Sequence, residues 1–294
     1  MKRSIKLCAY ILGFLLLGMP SVEAQQIQIP SSIAGRSPQT QSLSVFLNAL
    51  AQADVVYLGE THDHEADHIA QLQIIQELYQ RHPRLAIGME MFQRPFQAVL
   101  DQYLSGDIAE DELRQRSQFD QRWGFPWNYY APILRFAQAH RLPVLALNTP
   151  TEVTQRVASK GLDLLPESDR QWIPPISEIR TDSIAYRQFL RPIYEDFHRD
   201  EGMAPSFENF FLSQVLWDET MADGVATFLK GNPNHLVVVL TGQGHVVYGY
   251  GIPSRVARRL AETPHFSQRI VLLNPAPELR SRSGTIANYF WLTP

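Results

Sequence analysis

The sequence predicts an α/β fold: a mainly parallel sheet flanked by helices, with an inserted helical cap. Three observations predict it. Five short apolar runs, at residues 55–58, 85–89, 144–147, 236–241 and 270–273, are nearly continuous rather than alternating. Strands buried on both faces have that composition. Stretches of helical periodicity separate the runs, and strands alternating with helices build a parallel sheet. The residues just after the runs are polar, as at the ligand-binding carboxyl edge of such sheets.

Residues 1–24 have the order of a secretory signal peptide. Lys2, Arg3 and Lys6 precede an apolar run at 7–19, and Val22 and Ala24 are small residues at the −3 and −1 places of a cleavage site. The run is short for a spanning helix, which disfavours an uncleaved anchor. Cys8 stands at the start of the apolar run rather than after it, so no lipid-acceptor cysteine is seen. The expected product starts at Gln25 and is exported to the periplasm or cell surface.

Residues 25–42 are rich in Gln, Ser and Pro and read as a linker, leaving 43–294 as a single α/β domain. Helices are expected at 64–80 (Ile69, Leu72, Ile74, Ile75, Leu78), 126–140 (Ile133, Leu134, Phe136), 206–229, and 254–263 with Ser254 as its cap. Residues 151–205, broken at Pro174-Pro175, supply the cap over the sheet. The aromatic cluster at 123–130 reads as core packing.

Composition narrows the function. At 294 residues, 45% hydrophobic and 19% charged, the chain is globular. A net charge of −4 gives no basic excess for nucleic acid. With Cys8 the only cysteine, disulfide scaffolds, thiolate metal sites and cysteine nucleophiles are excluded once the signal peptide is removed.

The candidate site lies where the runs end. The first is followed by Gly59-Glu60-Thr61-His62-Asp63, the second by Glu90, the third by Asn148 and the fourth by Gly242-Gln243-Gly244-His245. The spacing Gly-x-x-His occurs twice, at His62 and His245; glycine permits a sharp turn and the imidazole can hold a metal or move a proton. Because both histidines follow strands, their removal is expected to cost little stability. The motif His64-Glu65-Ala66-Asp67-His68 has the zincin spacing, but it starts at a strand-to-helix turn, so only His68 is expected near the rim. On the long helix, Gln214 and Asp218 share a face, either as structural hydrogen-bonding groups or as partners of the rim histidines. Arg255, at a helix start behind His245, suits a carboxylate or phosphate.

Together, the Gly59–His62 turn with His68, Glu90-Met91-Phe92, the Gln214, Trp217, Asp218, Met221, Ala222 pattern, Gly242 to His245, and Gly251-Ile252-Pro253 with Arg255 resemble the ChaN-like haem-binding uptake family. That family sits in a wider group with the Tiki and TraB proteins and the erythromycin esterases. The resemblance implies an α/β fold and a role in haem or iron acquisition. It implies haem as cofactor, held by an axial tyrosine or histidine, with Arg255 meeting a propionate; no haem-ligand tyrosine matches a family motif, and Tyr248, Tyr250, Tyr129 and Tyr130 are all candidates. A homodimer and an outer-membrane uptake machinery are the expected partners. The alternative is a metal-dependent hydrolase or peptidase, with His62 and His245 holding a divalent ion and Glu60 or Glu90 as general base. A scaffold without chemistry is the third reading.

Overall fold

The computed structural model describes residues 25–28, 38–198 and 206–293; the expected signal peptide and Cys8 lie outside them. In chain order the elements are β1 (Gln25–Gln28), α1 (Pro38–Ala51), β2 (Val55–Glu60), α2 (Glu65–Arg81), β3 (Leu85–Gln93), α3 (Gln97–Ser105), α4 (Glu110–Arg116), α5 (Phe119–Arg122), α6 (Trp127–His140), β4 (Val144–Asn148), α7 (Thr151–Lys160), α8 (Glu167–Arg170), α9 (Ile184–His198), α10 (Phe207–Gly231), β5 (Leu236–Gly242), α11 (Ile252–Arg259), β6 (Gln268–Leu273), α12 (Pro277–Arg280) and β7 (Tyr289–Leu292). The strands form one seven-stranded sheet in the order β1-β7-β6-β2-β5-β3-β4, with parallel pairings throughout.

The apolar runs become strands because the sheet is covered on both faces. Every residue of β2 and β5 is buried. Val56 and Leu58 pack with α1, α2 and α6 on one face; Val55 and Tyr57 pack with α10 and α11 on the other. Each fully buried aliphatic side chain contributes about 1.5–3 kcal/mol, so the paired runs fix the register. The expected helical cap is present. α7, α9 and the first half of α10 close a cluster of their own around Val157, Tyr186 and Phe211. Ser206 caps α10 by accepting the Asn209 N–H at 3.2 Å.

Three expectations are corrected. Residues 25–42 are not simply a linker: β1 pairs with β7, and α1 begins at Pro38. A four-residue edge strand needs no apolar run, so Gln25–Gln28 carries no hydrophobic signature. β7 is a sixth apolar strand whose brevity and position near the chain end hid it. Finally, α11 starts at Ile252 with a proline in its first turn, and the Ser254 hydroxyl donates back to the Tyr250 carbonyl at 2.8 Å instead of capping.

β4 forms one edge of the sheet, and a side chain closes it. Gln97 of α3 accepts the Ala146 N–H at 2.7 Å and donates to the Val144 carbonyl at 2.8 Å.

Candidate functional site

The carboxyl ends of β2, β5 and β3 carry two buried polar networks. Glu60 is in register with Gly242 of β5. Glu90 spans the gap to β5, accepting the Thr241 hydroxyl at 2.7 Å and the Gly242 N–H at 2.8 Å through Oε2. Glu60 extends the Val56–Leu58 face toward α2 and α6, whereas Glu90 follows Ala86 on the α10 face. The two networks therefore approach the rim from opposite sides of the sheet.

The first network centres on Glu60, 1% exposed. Its Oε1 accepts from His62 Nδ1 at 2.8 Å and from the Tyr130 hydroxyl at 2.7 Å, and its Oε2 from the Gln71 amide. His68 Nδ1 is 3.6 Å from Oε2, and His68 Nε2 donates to the His62 carbonyl at 3.1 Å. Burial alone would raise the Glu60 pKa, but His68 and His62, with the Tyr130 hydroxyl, hold it below the ordinary value. The same burial, with the Glu60 charge, pushes the Tyr130 phenol well up. Trp123 and Phe125 cover the His62 ring at centroid distances of 4.8 and 5.0 Å. Tyr129 stacks on His68 at 4.5 Å.

The second network centres on Asp218 of α10, fully buried. His245 Nδ1 donates to Oδ1 at 2.7 Å and the Tyr186 hydroxyl to Oδ2 at 2.6 Å. His245 Nε2 faces Glu90 Oε1 at 3.6 Å. In both networks a carboxylate holds Nδ1 of a Gly-x-x-His imidazole and thereby fixes its ring orientation. Gly251 makes the second loop fit, since a Cβ there would sit 2.2 Å from the His245 carbonyl oxygen.

The structure brings together Glu60, His62 and His68 on one side, and Glu90, Asp218 and His245 on the other. Asn148 supports the rim indirectly, donating to the Glu90 carbonyl at 2.9 Å. Four expectations change. Asp63 is exposed; the acid that anchors its loop is Asp67, fully buried, accepting from the Thr61 N–H, His64 and Asn274 at 2.7–2.8 Å. Gln214 is buried, but no hydrogen bond ties it to the rim histidines. Arg255 is 4% exposed, and its guanidinium serves internal partners: the Tyr250 and Gly251 carbonyls at 2.6 and 2.9 Å, and Glu219 at 3.4 Å. It is not placed to meet an external anion. His62 and His245 are each 1% exposed, so they are network members rather than removable loop residues.

Among the described residues no group of three or more His, Cys, Asp or Glu side chains could hold a metal ion. The divalent-ion site expected on His62 and His245, with Glu60 or Glu90 as base, gains no support from this arrangement. Sequence reasoning missed Gln71, Tyr186 and Glu219, which is fully buried and binds Arg258 and Arg259 at 2.7 and 2.6 Å; it named Tyr130 only as a haem-ligand candidate and missed its bond to Glu60. Tyr130 lies within the aromatic cluster that was read as packing, and only its hydroxyl distinguished it.

Tyr248 stands apart from both networks. Its φ is +58°, in the left-handed region that costs a non-glycine residue about 1–2 kcal/mol. The ring is half-buried, stacked on Tyr250 at 5.2 Å and edge-on to Phe189 at 5.9 Å. Burial raises its phenol pKa, and the neighbouring Arg282 opposes this by charge and by a hydrogen bond.

The family model for haem-binding uptake, Tiki superfamily, ChaN, matches residues 46–256. Protein RETICULATA-RELATED 5, chloroplastic, of Arabidopsis thaliana is 27% identical over 258 residues, which cover 82% of this chain and 34% of that protein. The chain thus spans about a third of that relative's length. The solved structure of cofacial heme binding to ChaN of Campylobacter jejuni is 19% identical, with a TM-score of 0.61, covering 82% of this chain and 89% of that one. It shares the fold. With the family model spanning most of the sheet and both polar networks, the chain belongs to the ChaN family of haem-binding uptake proteins in the Tiki superfamily.

Proposed function

We propose that this protein binds haem through Tyr248 and serves haem or iron uptake outside the cytoplasm. Family membership supports the general role. The observation that carries the ligand is the Tyr248 phenol, held in a left-handed backbone conformation beside Arg282 and against Phe189 and Tyr250. Backbone strain of this kind persists where a side chain must be aimed.

These residues fit haem. The Tyr248 phenol would hold the iron of a bound haem through its oxygen, and the haem would supply the iron to be carried. Phe189 and Tyr250 offer aromatic walls, and Arg282 replaces Arg255 as the cation for a propionate. Arg282 also favours the ionised phenol, while burial disfavours it. Ligation releases the phenol proton, so affinity should rise with pH until the phenol ionises unaided. In this reading the Glu60 and Asp218 networks shape the rim and do not touch iron. The signal-peptide order of residues 1–24 supports export, and no helix among the described residues is long and apolar enough to cross a membrane. A homodimer and an outer-membrane uptake machinery remain the partners that go with this role.

Hemin titration followed by the Soret band tests the proposal. Saturable binding to the wild type, lost in Tyr248→Phe and kept in Tyr250→Phe, is the expected result. Unchanged binding in Tyr248→Phe would remove the ligand assignment, and no saturable binding to the wild type would remove the function.

A further inference from the structure

The outer edge of β4 is the least ordinary surface away from the rim. A strand at the end of a sheet leaves N–H and C=O groups unpaired. Here the Gln97 carboxamide meets the Ala146 N–H and the Val144 carbonyl at 2.7 and 2.8 Å. One carbonyl and one N–H, presented together, are what a peptide group of a neighbouring strand would offer. A side chain thus stands where the backbone of one more strand would lie.

The edge is also recessed. Val144 is 1% and Ala146 6% exposed. A cavity of about 490 Å³ runs over residues 143–147, with α3 as one wall and the second half of α10 as the other, within the usual range for ligand pockets. A second copy of this chain carries its β4 at the bottom of the same groove, so two such edges cannot meet. A single extended strand is slim enough to enter.

We propose that this groove is a β-augmentation site, taking an extended peptide as an eighth strand when the Gln97 side chain swings out. Alternate side chains of that peptide face opposite walls. On the α3 wall, Asp101 loses the Gln97 amide that now donates to it at 2.8 Å and offers a carboxylate to a basic side chain. On the α10 wall, Asp223 is neutralised by Arg94 at 2.8 Å, which leaves Gly224, Thr227 and Phe228 to an apolar one. The partner is therefore a segment alternating basic and apolar residues.

The probe is a fluorescein-labelled Lys-Val-Lys-Val-Lys-Val peptide, titrated into the intact protein by fluorescence anisotropy. An analogue N-methylated on alternate residues cannot pair with the edge, and should bind about tenfold or more weakly. Gln97→Ala removes the internal competitor and should tighten binding by about fivefold. Asp101→Ala and the groove-filling Thr227→Trp should weaken it, with the circular dichroism spectrum unchanged. Equal binding of the N-methylated peptide, or no gain in Gln97→Ala, overturns the proposal. So does a Gln97→Ala protein that dimerises in sedimentation without binding peptide, because the occupant would then be a second copy.

Discussion

Asp218 Oδ1 lies 2.7 Å from Nδ1 of His245, and the other oxygen of the same carboxylate accepts the Tyr186 hydroxyl at 2.6 Å. One buried charge on α10 therefore ties the rim loop after β5 to α9 of the helical cap. Breaking a buried charged pair from one side typically costs about 3–5 kcal/mol. Asp218→Ala should lose about that much in urea unfolding, and Tyr186→Phe about 1–2 kcal/mol. A loss below 1 kcal/mol for Asp218→Ala would show that the cap is held by apolar contacts alone.

Glu60 and Asp67 should pull the pH dependence of stability in opposite directions. The folded pKa of Glu60 is depressed. Its contribution is present above the ordinary glutamate pKa and lost as pH falls through the folded value. Asp67 is raised by burial, against the lowering hydrogen bonds from Thr61, Asn274 and His64. Its contribution is present at low pH and lost as pH rises through the folded value. Urea midpoints between about pH 3 and pH 7 should show a flatter acid limb for Glu60→Gln and a steeper one for Asp67→Asn. Identical slopes in all three proteins would count against both assignments.

The rim histidines should prove expensive to remove. His62→Ala leaves Glu60 without a donor at 2.8 Å and opens space beneath Trp123 and Phe125. We expect a loss of about 2–4 kcal/mol, read as a lower urea midpoint together with a changed tryptophan emission. A loss under about 0.5 kcal/mol, the usual cost at an exposed loop, would contradict the network.

Gly251 should tolerate no side chain. The constraint shown is space: besides the His245 carbonyl oxygen, a Cβ would meet Asp218 Oδ1 at 3.0 Å. Gly251→Ala should destabilise by about 1–3 kcal/mol through overpacking. It should also perturb the His245 imidazole resonances in NMR spectra, whereas Gly231→Ala, with open space around it, should leave them unchanged.

The central strands were legible because burial on both faces writes a continuous apolar run, as at Val55 to Leu58. The rim was legible because Glu60, His62, Glu90 and His245 directly follow such runs. What the sequence hid was the partner of each polar group. Tyr130 and Tyr186 come from helices whose placement depends on tertiary packing, and their hydroxyls resemble those of any core tyrosine. Arg255 stood at a helix start in the chain, but the fold turns it inward onto the Tyr250 and Gly251 carbonyls. Asp67 carried a faint signal: three residues after His64, it sits where an acid reaches back over a helix start, and that register would have singled it out over Asp63.

The strand order has a consequence for how the chain is made. β2 lies at the centre of the sheet, but both its neighbours, β5 and β6, come from the last third of the sequence. Tyr57 reaches a partner, Gln268, 211 positions away. Pairings this distant in sequence are slow to form. While the first two thirds of the chain emerge from the ribosome, β2 has no strand to pair with, and the molecule stays threadable. Under the proposed export, delayed folding leaves time to cross a membrane unfolded and to assemble on the far side.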